Sequence, residues 1–247
     1  MTSTLMRGRV RWPAERRFYT GMALAMFATM YLGFAPSFFL RPWFPATHAA
    51  PEPFFYFHGA VFAGWFVLLI AQPSLVGIGR TDLHRKLGQV GAALAIVMVG
   101  MGTVGALIAA RRPTGFVDIP IPPLQFLVVP LFDMLVFGTL VGLAIARRKD
   151  PQAHKRLMLI ASIALLVAAI ARWPYNFKAH GPLVFFAVSD LFLLALVAWD
   201  YVSRRTIHPV TLWAGLFLVA SQPLRLVLSG TEAWRSFARW AVGLLGP

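Results

Sequence analysis

Long uninterrupted runs of apolar side chains constrain this chain more than any other feature. Seven such blocks lie near residues 18–40, 54–78, 87–110, 124–146, 157–173, 183–202 and 210–228. The hydrocarbon core of a bilayer takes about 20 apolar residues per helix, range about 17–25, and each block fits. Nothing in that core can bond a free peptide group, so spans of this kind are helices. The expected fold is an all-α polytopic membrane bundle of seven transmembrane helices. The spans must pack on one another, so residues 1–247 are read as a single transmembrane domain. Residues 231–245 form a shorter, amphipathic stretch. Trp234, Phe237, Trp240 and Ala241 recur at helical spacing, with Arg235 and Arg239 on another side. This predicts a helix lying in the membrane interface.

Composition agrees: 58% of residues are hydrophobic and 13% charged, against about 45–50% and about 25% in soluble domains. The net charge of +14 would suggest nucleic acid in a soluble protein. Here the basic residues cluster in short loops between apolar blocks, so topology and the lipid bilayer explain them, with anionic lipids on the cytoplasmic face and no nucleic acid. Of the 23 Lys and Arg residues, 15 fall in one alternating set of segments, around residues 7–17, 80–86, 147–156 and 204–205, and 8 in the other. The positive-inside rule then predicts N-in/C-out, with residues 1–17 as a basic cytoplasmic N-terminus of a multi-pass bacterial inner-membrane protein. That basic stretch is long for a signal peptide and no clear A-x-A-like site follows the apolar block, so it is expected to be retained. The absence of cysteine excludes disulfides and thiolate chemistry.

The turns repeat. His84, His154 and His208 each close a short basic turn at the start of the next helix, and Asp133 and Asp190 each lie 14 residues before the first basic residue of their turns, Arg147 and Arg204. Helices 2–3, 4–5 and 6–7 therefore read as three hairpin-like repeats with helix 1 added, and sites often form where repeats meet.

Each histidine shares a helical stripe with small or polar residues: His84 with Gly88, Gly91 and Ala95; His154 with Ala161, Ser162, Ala168 and Arg172; His208 with Gly215 and Gln222. Small-residue stripes face other helices, so all three should point into the bundle at similar depth. Neutral imidazoles on facing helices can ligate haem iron or bind another metal. Arg85, Lys86, Lys155 and Arg156 would then pair with haem propionates. A histidine at a helix start also serves as a cap or a headgroup contact, with the same basic residues meeting lipid phosphate. No H-E-x-x-H spacing is present.

A second group lies toward the other end: His58, Asp133, Asp190, Arg172, Gln222 and Arg225. A charge in the bilayer costs about 2.5–3.5 kcal/mol on insertion scales, so these should pair or line a wet cavity. The expected ion pair is Asp190 with Arg225 or Arg172. The group reads either as a structural tie or as a substrate or proton pocket. Gln72 lies four turns from His58 on nearly the same face, followed by Pro73, which should kink the helix. G-x-S-x-G and P-loop motifs are absent, no G-x-G-x-x-G occurs in a strand context, and Asp133 and Asp190 lack the context of an intramembrane protease.

The segments His84-Arg85-Lys86-Leu87-Gly88, His154-Lys155-Arg156-Leu157-Met158 and Asp200 with His208-Pro209 resemble a family of uncharacterised bacterial seven-helix inner-membrane proteins, over helices 2 to 7. The H-[RK]-x-L pattern also resembles, remotely, b-type cytochromes and cytochrome oxidase assembly factors. That likeness implies a haem-binding or redox membrane protein. Only His58 is an intramembrane histidine toward the other end, so the likeness implies one haem b and not two. The alternatives are a small-solute or proton-coupled transporter and a structural or assembly partner of a membrane complex.

Overall fold

The computed structural model describes residues 12–44, 52–116, 119–173 and 181–246. Residues 1–11, with Arg7, Arg9 and Arg11, and Lys178 lie outside the described residues. The α-helices are α1 (Trp12–Phe34), α2 (Pro53–Gly77), α3 (Thr81–Arg111), α4 (Pro123–Phe126), α5 (Val128–Ala146), α6 (Pro151–Ala164), α7 (Leu166–Ile170), α8 (Pro182–Arg204), α9 (Pro209–Ser229) and α10 (Glu232–Gly243). No strand occurs among the described residues.

Seven helical stretches are long and apolar enough to cross a membrane: Ala14–Phe39, Pro53–Gly77, Thr81–Arg111, Pro123–Ala146, Pro151–Ile170, Pro182–Arg204 and Pro209–Ser229. The chain is an integral membrane protein with a multi-pass helical bundle. The fourth span is built from α4 and α5, and the fifth from α6 and α7, which meet at a turn at Leu165.

Local chemistry sets where the helices begin. Proline stands in the first turn of α2, α6, α8 and α9, where its missing N–H costs nothing. Asp150 caps α6 by accepting from Gln152 N at 3.0 Å and Ala153 N at 3.1 Å. Those bonds hold its exposed carboxyl below the usual carboxylate range. The turn after α2 uses Gly79 at φ +81°, a conformation that glycine adopts without strain. Pro73 stands inside α2, which continues to Gly77.

The fifth span is the centre of the bundle and the most deeply buried of the seven. Leu157, Ile160, Ala161, Ile163 and Leu166 on it are wholly buried. Gly33 of α1 packs directly on the backbone of Ala169, where a Cβ would collide with the carbonyl. The helix α10 buries Ala238 and Ala241 against Ala106, Leu107, Ala110 and Leu127 and leaves Phe237 and Trp240 exposed. Trp234 Nε1 ties it to Leu124 O at 2.8 Å. This two-sided helix suits the expected interfacial position.

One end of the bundle gathers the basic turns. Arg16 donates to Gly77 O at 2.5 Å, joining the start of α1 to the end of α2. Lys155 pairs with Glu15, joining α6 to α1. These contacts and turns make up the basic end of the bundle.

Candidate functional site

Two of the three turn histidines meet at the basic end. The rings of His84 and His154 have centres 6.4 Å apart and planes at 88°. Each projects from the first turn of its helix, and each has Nδ1 fixed by the protein. His154 Nδ1 lies 2.8 Å from Ala144 O, the end of α5. A carbonyl only accepts, so Nδ1 carries a proton, and in the neutral ring Nε2 presents a lone pair. His84 meets the side-chain amide of Gln72, reaching across from α2. The orientation that satisfies all neighbours has Gln72 Nε2 donating to His84 Nδ1 at 2.5 Å and to His84 O at 3.2 Å, with Oε1 accepting from Gly88 N at 3.0 Å. The stripe of His84, Gly88 and Gly91 thus packs against Gln72 and Leu68 of α2.

His208 does something else. It is the N-cap of α9, its Nδ1 accepting from Val210 N at 3.1 Å. Burial first, then Arg156 and Arg204, lowers its pKa below the ordinary imidazole value. The expectation that all three histidines stand alike is corrected here, because His-Pro at a helix start is a capping arrangement. The His154 stripe also needs correction: Ala161 and Ser162 are buried, but Ala168 is exposed, since the turn at Leu165 breaks the continuous register on which the stripe was counted.

Of the flanking cations, two are committed elsewhere. Lys155 binds Glu15 and lies 4.9 Å over the Tyr19 ring. Arg156 is buried and binds Asp200 through Nε, at 3.1 and 3.3 Å, and through Nη2. Its Nη1 donates to Gln152 O and Oε1 at 2.9 and 2.6 Å. Asp200 also accepts from Thr211 Oγ1 at 2.5 Å and His208 N at 3.1 Å. This network ties α6, α8 and α9, and sequence reasoning missed it. Arg156 sits inside a basic run whose charge is already explained by topology, so nothing local marks it as a core residue. Arg85 and Lys86 remain exposed beside His84.

The second group is arranged differently from expectation. Arg225 is buried and pairs with Asp133, at 2.5 Å, and not with Asp190. Its Nη2 donates to Ser221 Oγ at 3.0 Å and its Nε to Ser221 O at 3.2 Å. Its guanidinium lies 5.6 Å from the Phe132 ring and 5.1 Å from Phe186. Asp190 accepts from Gln222 Nε2 at 2.8 Å. Arg172 donates to Ala168 O at 2.6 Å and lies over Phe34. His58 stacks on Phe62 with centres 4.2 Å apart, and its Nδ1 is buried without a partner. All of Arg225's nitrogens are engaged, so Asp133 and Arg225 tie α5 to α9 and present no free charge to a solute.

Among the described residues, no group of three or more His, Asp or Glu could hold a metal ion. Two imidazoles are too few for the four-ligand cage of a structural ion, whereas haem iron takes only its axial ligands from protein. No family model matches the chain, and comparison with curated proteins and with solved structures finds no match.

Proposed function

We propose that this is a membrane redox protein holding one haem b between His84 and His154 at the basic end, which faces the cytoplasm of a bacterial inner membrane. The observation that carries the reading is the 6.4 Å separation of the two ring centres. An imidazole nitrogen sits roughly 2 Å from a bound transition metal, so two rings on opposite sides of one ion have centres roughly 6 Å apart. His154 supports it further: ligating histidines commonly give their other N–H to a carbonyl, which fixes the ring and strengthens the ligating nitrogen. Arg85 and Lys86 are the cations left to meet propionates, in place of the four expected. His208 is left out of the proposed ligand pair because the close ring contact is between His84 and His154.

Bound there, the haem would supply one-electron chemistry. The chain's own part is to orient two imidazoles from α3 and α6, to exclude water with the apolar spans, and to counter propionate charge. The transporter alternative has less support, since Arg225 and Asp133 neutralise each other in a closed contact. The test is to express the protein with haem supplied, purify it in detergent, and record visible spectra before and after dithionite. The reading expects a Soret band and sharp reduced bands of low-spin iron. A folded, monodisperse protein without a Soret band overturns it.

A further inference from the structure

We infer that Gln72 sets the tautomer of His84 and so decides whether its Nε2 is free to take a ligand. The consequence for haem rests on the reading above; the tautomer itself does not. Gly88 N–H only donates and the His84 carbonyl only accepts. Between them they orient the Gln72 amide, with Oε1 toward Gly88 at 3.0 Å and Nε2 toward His84 O at 3.2 Å. The same –NH2 group lies 2.5 Å from His84 Nδ1. It has two hydrogens, one for each acceptor. Nδ1 must therefore present a lone pair, which puts the proton of neutral His84 on Nε2. His154 is the opposite case, with its proton on Nδ1 facing Ala144 O at 2.8 Å.

The two rings thus carry complementary tautomers: an N–H on Nε2 of His84 and a lone pair on Nε2 of His154. Only His154 is ready to bind a metal. His84 becomes ready when the Gln72 amide turns by half a revolution, so that Oε1 accepts a proton now carried on Nδ1. The turn also sets Nε2 against the Gly88 N–H and Oε1 against the His84 carbonyl, two like-pole contacts, so it takes ligation at Nε2 of His84 to drive it. Gln72 is a positioning residue, acting on the ligand through the far side of the ring. A glutamate at this position offers only acceptors and holds His84 in the ligating tautomer.

The test uses haem-free protein labelled with ¹⁵N-histidine. Spectra are recorded at about pH 8.5, roughly two units above the ordinary imidazole pKa of about 6.5. Nitrogen shifts distinguish a protonated from a bare ring nitrogen, and His84→Ala and His154→Ala assign the signals. Wild type should show His84 bare at Nδ1 and His154 bare at Nε2. In Gln72→Glu, His84 should change to bare at Nε2 and His154 should not change. A wild-type His84 bare at Nε2, or a folded Gln72→Glu protein with an unchanged pattern, overturns the inference. The wild-type spectrum is decisive alone if the variant does not fold. With haem bound, Gln72→Glu should lower the midpoint potential. Equal potentials would overturn the role of Gln72 toward the ligand while leaving the haem reading intact. The expected tautomers in a protein that takes no haem would sink the haem reading and leave the tautomer assignment standing.

Discussion

Replacing Asp200 with alanine should be the most damaging single change at the basic end. The side chains of Arg156 and Asp200 are 1% and 0% exposed. Among the described residues the carboxylate is the only acidic partner of that guanidinium, and it also takes the Thr211 hydroxyl and the His208 N–H. After substitution, Arg156 keeps Gln152 but loses its counter-charge. An uncompensated buried charge costs about 3–5 kcal/mol. The orphaned, buried Thr211 hydroxyl adds about 1 kcal/mol at the low end of its range. The His208 N–H is near the surface and water replaces its partner. The expected loss is about 4–6 kcal/mol, a large share of a typical stability of about 5–15 kcal/mol. Chemical unfolding in mixed micelles, followed by far-UV circular dichroism, measures it. Arg156→Met/Asp200→Leu removes both charges and should recover most of the loss, because a buried pair is often replaceable by apolar residues of similar volume. An Asp200→Ala protein within about 1 kcal/mol of wild type, or single losses that simply add in the double variant, would refute the reasoning.

Three further outcomes follow from the same structure. In double-mutant cycles, Arg225→Leu should couple to Asp133→Asn by about 1.5 kcal/mol or more and to Asp190→Asn by less than about 0.5 kcal/mol; the reverse order would restore the ion pair expected from sequence. The lowered pKa of His208 means that its folded form resists protonation. Its contribution is therefore complete above the ordinary imidazole value of about 6.5 and is lost as pH falls through the folded value, since protonation removes the cap acceptor. Asn can cap without titrating, so unfolding between neutral and mildly acid pH should weaken wild type more than His208→Asn, and equal slopes would contradict this. Reporter tags in the 80–86, 147–156 and 204–206 turns should lie in the cytoplasm and a tag after Pro247 outside; both termini on one side would contradict the proposed orientation.

The seven spans were legible because a bilayer demands length and apolarity together, and both are written locally in the chain. The helix α10 was legible from the helical spacing of Trp234, Phe237 and Trp240. Partner choice was not. Asp133 and Asp190 are both acids on spans near Arg225, and which one it meets depends on how α5, α8 and α9 are rotated and staggered. Arg156 was hidden in a basic run that topology already accounted for. Gln72 was visible as a polar residue on α2, but its contact with His84 depends on how α2 packs against α3. His84 and His154 were singled out by their matching turns, whereas His208 shared the turn and not the geometry, its Pro209 marking it as a cap.

The most direct test of the central claim is haem titration of three single variants in detergent, followed at the Soret band. The account predicts that His154→Ala and His84→Ala each lose or convert the low-spin spectrum, while His208→Ala keeps the wild-type bands. A spectrum untouched by His154→Ala, or one abolished by His208→Ala in a protein that remains folded, would contradict it.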